Sequence, residues 1–263
     1  ELIFSKEETK LISTLLESGK IEIVTAAVLT RDHYREHFGN KSAINIQNYQ
    51  VVTPKKYHRK LKANDFKDKI SFSLPGTMGD GRKGQLPIFY AFADFLKETY
   101  EKNPEDYRDF ELVYIGMHDD FLSRQIERHA VKGLGKRFIS YGRLTKEECM
   151  DIIMKSNATV CYSIRECLPL FVFEGMSAGH PILRNDCSGM EEQLVDGKNG
   201  YYLDSSDYEQ VKQTLEKMLN RKKTPDLLLE QMSKKSYEIS ISQEKNSYLP
   251  MIETLREALG YAK

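Results

Sequence analysis

The sequence predicts an α/β fold in which a parallel sheet carries helices on both faces. Three observations point to it. Short apolar strand patterns alternate with helical patterns from Ile70 to Leu203, the order that winds a parallel sheet. The first of these strands runs into a glycine-rich turn, Gly76–Gly84, that opens a helix. A later strand is followed by Leu168–Ala178, a helix apolar almost all round and therefore buried.

Composition narrows the classes. The chain has 263 residues, 40% of them hydrophobic and 30% charged, which excludes a disordered or collagen-like protein. Lys and Arg number 39 and Asp and Glu number 39, so there is no global basic field and no nucleic-acid partner is expected. No apolar run approaches the roughly 20 residues of a membrane span. Cys149, Cys161, Cys167 and Cys187 form no C-x-x-C pair and read as reduced thiols. The expected location is cytoplasmic, with at most peripheral contact at the inner face of a membrane.

In chain order, Lys6–Ser18 reads as an amphipathic helix closed by Gly19, Ile21–Ala26 as a strand and Arg31–Phe38 as a second helix. Asn48–Lys67 is polar, contains Pro54 and carries Lys55, Lys56, Arg59, Lys60 and Lys62. It is read as a solvated linker, with contact to anionic lipid headgroups as the sharper alternative. Strands are then expected at Ile70–Leu74, Glu111–Ile115, Phe138–Tyr141, Thr159–Ser163, Ile182–Arg184 and Tyr201–Leu203. Helices are expected between them at Gln85–Lys102, Asp120–Lys132, Lys146–Lys155, Leu168–Ala178 and Glu191–Val195. Three further helices, Asp207–Arg221, Asp226–Ser240 and Lys245–Ala262, finish the chain.

The glycine turn nearly fits two known patterns. Gly79 to Gly84 satisfies G-x-G-x-x-G, which suggests an NAD(P)-dependent oxidoreductase. That site also wants an acid about 20 residues on, whereas the first acid past the next strand is Asp119. As a phosphate-binding P-loop the turn has Arg82 where Lys belongs and Lys83 where Ser or Thr belongs. The shared physics remains: exposed amides, a helix N-terminus and the cations Arg82 and Lys83 favour an anion.

The segment Ser163–Gly179 is more informative. Pro169 suits a helix start, while Gly179 and Pro181 stop the helix. Glu174 lies inside the apolar stretch and needs a partner, either a Lys or Arg from a neighbouring element or the diol of a ligand. Glu166 precedes the helix, in the crevice beyond the strand ends. The amides of Leu168, Leu170 and Phe171 face the same crevice. A nucleoside diphosphate sugar has matching parts: phosphates, a ribose diol and further hydroxyls.

Glu166 and Glu174 are separated by seven residues, an E-x7-E spacing. The sequel holds Asp186-Cys187-Ser188-Gly189, Glu192 and Asp196-Gly197-Lys198-Asn199-Gly200. Upstream lie Tyr114-Ile115-Gly116 and Tyr141-Gly142-Arg143-Leu144. On these residues the chain, from about Ile70 to Asp204, resembles the retaining GT-B glycosyltransferases of family 4.

The resemblance implies a Rossmann-like donor-binding domain over residues 68–244. Residues 1–47 would be a remnant of an N-terminal acceptor domain, 48–67 a linker and 245–263 a crossover helix. It implies transfer of a sugar from a nucleoside diphosphate to a hydroxyl acceptor with retention, using no metal and no other cofactor. The acceptor is unidentified, a glycan or lipid-linked glycan being the type expected in polysaccharide biosynthesis. Lys83, Arg82 and Glu166 would be catalytic. Glu174 would hold the ribose, and Gly142 and Arg143 would line the base. Cys167, Leu168, Pro169, Leu170 and Phe171 would carry the helix start that holds the distal phosphate. Gly76 and Thr77 belong to the phosphate loop, Thr77 standing where the family has Arg. The alternatives are a non-catalytic sugar-nucleotide-binding module or partner subunit, and the oxidoreductase. The chain by itself is expected to be incomplete for catalysis.

Other patterns have plainer explanations. His33-Tyr34-Arg35-Glu36-His37 matches H-x-x-E-H, but a catalytic zinc wants a third ligand. Asp119 and Asp120 suit the start of a helix better than a metal pair. His180 is read as structural, and the tyrosines form no repeated platform for bases.

Overall fold

The computed structural model describes residues 5–18, 23–25, 28–39, 44–46, 53–78, 83–116, 121–164, 166, 168–186 and 190–258. The chain divides into two compact units, residues 1–51 with 242–263, and residues 52–241.

The first unit contains α1 (Lys6–Glu17), β1 (Ile23–Thr25), α2 (Val28–Phe38) and β2 (Ile44–Ile46), with β1 and β2 parallel. Ser5 caps α1 through a capping box: the Glu8 amide donates to Ser5 Oγ and the Ser5 amide to Glu8 Oε2. Strand β2 was not foreseen, its three residues being too few to show an alternation.

The second unit holds a six-stranded parallel sheet in the order β5-β4-β3-β6-β7-β8. Its strands are β3 (Lys69–Pro75), β4 (Asp109–Ile115), β5 (Phe138–Tyr141), β6 (Ala158–Cys161), β7 (Ile182–Asn185) and β8 (Gly200–Leu203). Helices α3 (Gln85–Phe95), α4 (Phe121–Leu134), α5 (Lys146–Lys155), α6 (Leu170–Ser177), α7 (Met190–Gln193) and α8 (Tyr208–Leu219) connect and follow them. The helix expected to reach Lys102 ends as α at Phe95 and widens into a π-helical turn, Leu96–Tyr100. Under the sheet, Phe72, Phe92 and Phe110 are buried with ring centroids 5.0 and 5.4 Å apart. Each such ring stabilises the fold by about 1.5–3 kcal/mol through burial. Val113, Ile115, Met150 and Ile153 fill the side under α5.

The chain builds outward from β3 to β4 and β5, then crosses back to start β6 on the other side of β3. Between β3 and β6 the winding direction reverses. Loops diverge there, and a crevice opens beyond the carboxyl ends of the strands.

Two expectations fail. The stretch read as a solvated linker is a packed strap from Thr53 onward. It contains the turns Lys55–Tyr57 and Ala63–Phe66, and Tyr57, Leu61 and Phe66 are buried. Its apolar residues are spaced among lysines, which hides the buried set. Arg59 is half-buried and donates to the carbonyls of Ser156 (2.7 Å) and Ala178 (3.4 Å), at the carboxyl ends of α5 and α6 where a cation is favoured. The Leu61 amide donates to Ser233 Oγ at 2.8 Å. In addition, the last two expected helices are one, α9 (Asp226–Ala258). Serines form part of its packed face: Ser233, Ser236 and Ser240 are buried, and the Ser236 hydroxyl donates to the Asn199 carbonyl at 3.3 Å. Small polar residues let the helix approach the backbone beneath it.

Candidate functional site

Backbone bonds tie together the loops that follow β3, β4 and β5. The Gly76 amide donates to the Ile115 carbonyl at 2.9 Å, and the Gly116 amide to the Tyr141 carbonyl at 3.2 Å. The Tyr114 hydroxyl donates to the Gly76 carbonyl at 2.6 Å. A Cβ at Gly116 would stand 1.8 Å from that same carbonyl oxygen, so only glycine fits. Thr77 is exposed, and its carbonyl accepts a bond from Gln85 Nε2 at 3.0 Å.

The loop after β3 then meets the loop after β6. Gly84 is left-handed, with φ 53°, and a Cβ there would lie 2.7 Å from the Tyr162 carbonyl oxygen. This close approach brings Lys83 to Glu166 across the switch point, where the two form an ion pair with 16% of each side chain exposed. Burial, helped by Asp186 and Asp204, pushes the Tyr162 phenol up. Asn185 clamps the turn beneath Glu166. The Ser163 amide donates to its Oδ1 at 2.9 Å, and its Nδ2 donates to the Ser163 carbonyl at 2.8 Å.

The start of α6 is held by Gln193, whose Nε2 donates to the Pro169 carbonyl at 2.9 Å. Pro169 is the N-cap and brings no side-chain acceptor to the first turn. Gly84, the N-cap of α3, brings none either. By contrast Ser5, Thr145 and Asp207 cap α1, α5 and α8 with their side chains. Helix amides without a side-chain cap are suited to an anion. Leu168 and Pro169 are buried, Phe171 is half-buried and Leu170 is exposed.

Glu174 is buried on α6, where its carboxylate holds Lys146 from the first turn of α5. Of the two partners open to it, cation or ligand diol, the cation is present. Lys146 is 60% exposed, so the pair opens to solvent on one side. Gly142 and Arg143 form the turn between β5 and α5, just ahead of Lys146. The two glutamates therefore hold separate lysines: Glu166 with the β3 loop, Glu174 with α5.

His180 is buried; its Nδ1 lies 2.8 Å from Thr159 Oγ1, and burial together with Arg59 pushes its pKa down to about 3. It is a neutral core residue. Cys149, beside the Lys146–Glu174 pair, has its thiol pushed up by burial.

Arg82, Cys167, Asp119, Asp120, the residues 79–81 and 187–189, and the side chain of His33 lie outside the described residues. Among the described residues no three His, Cys, Asp or Glu side chains come together as a metal site. No helix among them is long and apolar enough to cross a membrane. Lys146, Asn185 and Gln193 went unnoticed in the sequence. Only Lys146 carried a signal, a cation at the start of a helix, where the dipole disfavours it.

A family model described as glycosyl transferases group 1 matches residues 81–238. No curated protein matches the chain. A glycosyltransferase from Rickettsia africae superposes with a TM-score of 0.76 at 14% identity, covering 98% of this chain and 69% of its own. Sucrose-phosphate synthase from Thermosynechococcus elongatus gives a TM-score of 0.73 at 15% identity, covering 99% and 63%. Anabaena HepE, solved in complex with UDP, gives 0.70 at 11% identity, covering 97% and 69%. The likeness shows the fold, the Rossmann-like α/β architecture of GT-B glycosyltransferases. This chain spans 63–69% of the length of these three proteins.

Proposed function

The chain belongs to the group 1 glycosyl transferases, and from that premise we propose that it binds the nucleoside diphosphate sugar of a retaining, metal-independent, family-4-type transfer. The observation that carries the proposal is the Lys83–Glu166 pair at the β3–β6 switch point, in the loop that leads into α6, a helix with no side-chain cap.

Each residue then has a task. Lys83 uses one of three N–H donors on Glu166 and offers the others to the diphosphate, and Arg82, the preceding residue in the sequence, is proposed as a second cation. The amides of Leu168, Leu170 and Phe171 take the distal phosphate at the positive end of α6. Glu166 accepts from hydroxyls of the donor sugar. Glu174 accepts from the ribose diol, and Gly142 and Arg143 line the base. Gly76 and Thr77 let the loop approach the phosphates.

In the transfer the bond from the anomeric carbon to the phosphate oxygen breaks, and a bond to the acceptor hydroxyl oxygen forms. The acceptor proton leaves with the diphosphate. Catalysis is electrostatic: cations and amides stabilise charge developing on the leaving group. The acceptor, a glycan or lipid-linked glycan, and the setting, cytoplasmic polysaccharide assembly at or near a membrane, are part of the same proposal.

One observation favours a second reading, a non-catalytic sugar-nucleotide-binding module. Thr77 supplies no charge where the family has Arg. Family membership sets the oxidoreductase aside.

Calorimetry with UDP, GDP, ADP and their glucose conjugates tests the donor site. At least one should bind, and Glu174→Gln should weaken it about tenfold, the size of a charged hydrogen bond. Binding by none of them overturns the proposal. Turnover of the bound donor by the complete polypeptide separates the transferase from the silent module.

A further inference from the structure

Lys146 is a cation that the donor site as proposed does not use. It is the first residue of α5, directly after the N-cap Thr145. There it faces the positive end of the helix dipole, which makes it locally unfavourable. It also does no capping, because Thr145 and Glu148 close the first turn, the Thr145 amide donating to Glu148 Oε2 at 2.8 Å. Its ammonium instead reaches across to Glu174. The environments of the two are unequal, with 60% of the Lys146 side chain exposed against 9% of Glu174. An ion pair with one partner in water adds little stability, since screening and lost rotamer freedom offset the attraction. A residue placed against its helix dipole, for small structural return, on a carboxylate proposed to bind ligand, invites a role in recognition.

We infer that Lys146 is a nucleotide-recognition residue that reads the ribose diol together with Glu174. The inference rests on the donor-site reading above. Glu174 can only accept hydrogen bonds, so it takes the diol protons and leaves the hydroxyl lone pairs unmet. The ammonium has three N–H donors and spends one on Glu174. A second donor, at the same carboxylate, meets a diol oxygen. The pair thus supplies both halves of what two adjacent hydroxyls need, and a 2′-deoxy nucleotide lacks one of them. The ammonium also neutralises the buried carboxylate, which keeps it from repelling an incoming diphosphate.

Calorimetry of UDP and GDP against their 2′-deoxy counterparts tests this on the wild type, Lys146→Met and Lys146→Arg. The wild type should prefer the ribonucleotide. Lys146→Met should bind it about tenfold more weakly, about 1.4 kcal/mol, and lose most of that preference. Lys146→Arg keeps a donor there and should retain most of both. Lys146→Met leaves the buried Glu174 carboxylate without its cation and should melt lower, while Lys146→Arg should melt as the wild type; affinities are compared well below both melts. If the wild type binds ribo and deoxy forms equally, or Lys146→Met keeps both affinity and preference, the inference is overturned while the donor site stands. If no nucleoside diphosphate binds the wild type, the donor site itself fails and the inference with it.

Discussion

At the amino end of the sheet Arg108 is 1% exposed and donates through Nε to Asp226 Oδ1 at 3.0 Å, with a second bond from its NH2 group. At the carboxyl end Lys83 meets Glu166 with 16% of each side chain in solvent. Both are charge pairs joining distant parts of the chain. Arginine brings a planar fork fixed by two bonds, and Asp226 sits in the first turn of α9, where its charge suits the dipole. Lysine brings a point charge on a flexible stem with two donors to spare. One pair is held by geometry, and the other, under the proposed function, leaves its cation donors for the ligand. The helix starts at the carboxyl end differ among themselves. Those of α3 and α6, on either side of the β3–β6 switch point, have no side-chain cap, while those of α5 and α8 have one.

The sharpest way to break this comparison is to cut the closed pair. Arg108→Ala strips Asp226 of its partner and removes a side chain that is only 1% exposed. Asp226 is one-third exposed, so water softens the loss. A destabilisation of about 2–4 kcal/mol is expected, read from urea unfolding. Nucleotide affinity of the folded variant should not change. A variant as stable as wild type would show that the pair is no clamp.

A cut at the carboxyl end should do the reverse. Gly84→Ala puts a Cβ into a left-handed position 2.7 Å from the Tyr162 carbonyl. The strain is worth about 1–2 kcal/mol of stability. The larger consequence is that the β3 loop must lift away from the β6 loop, which separates Lys83 from Glu166. Nucleotide affinity should fall about tenfold or more by calorimetry. Unchanged affinity would mean that the two loops need not touch for binding.

The sequence reveals much of the sheet and little of what clamps it. Phe138–Tyr141 and Lys146–Lys155 lie where the pattern puts them, and the other strands of the large sheet shift by one or two residues at one or both ends. Apolar runs bounded by glycine and polar turns make them visible. The strap escaped notice because Tyr57 and Leu61 sit among lysines. The continuity of α9 escaped because Ser236 and Ser240 are packed through their small size, which periodicity of apolar residues does not register. Among site residues, Glu166, Glu174 and Lys83 stood out through spacing and context. Asn185, Gln193 and Lys146 act through neighbours brought near only by the fold: Asn185 reaches a turn 22 residues back, and nothing local about it announces that.

The mildest test adds a charge where the crevice lacks one. Thr77, which the resemblance sets in place of an Arg, acts through its carbonyl, which accepts from Gln85, and the residue is exposed. Thr77→Arg should therefore fold with little change in melting temperature. A guanidinium beside Gly76 would add a cation to a crevice already holding Lys83, at a point where solvent still screens it. The gain expected for a nucleoside diphosphate is about threefold to fivefold, less than a desolvated contact would give, and it should shrink in high salt. A gain for UDP with none for uridine would locate the diphosphate on this side of the crevice. An equal effect on both, or none on either, would move the phosphates away from the β3 loop, and the open pair at Lys83 would lose its reason for staying open.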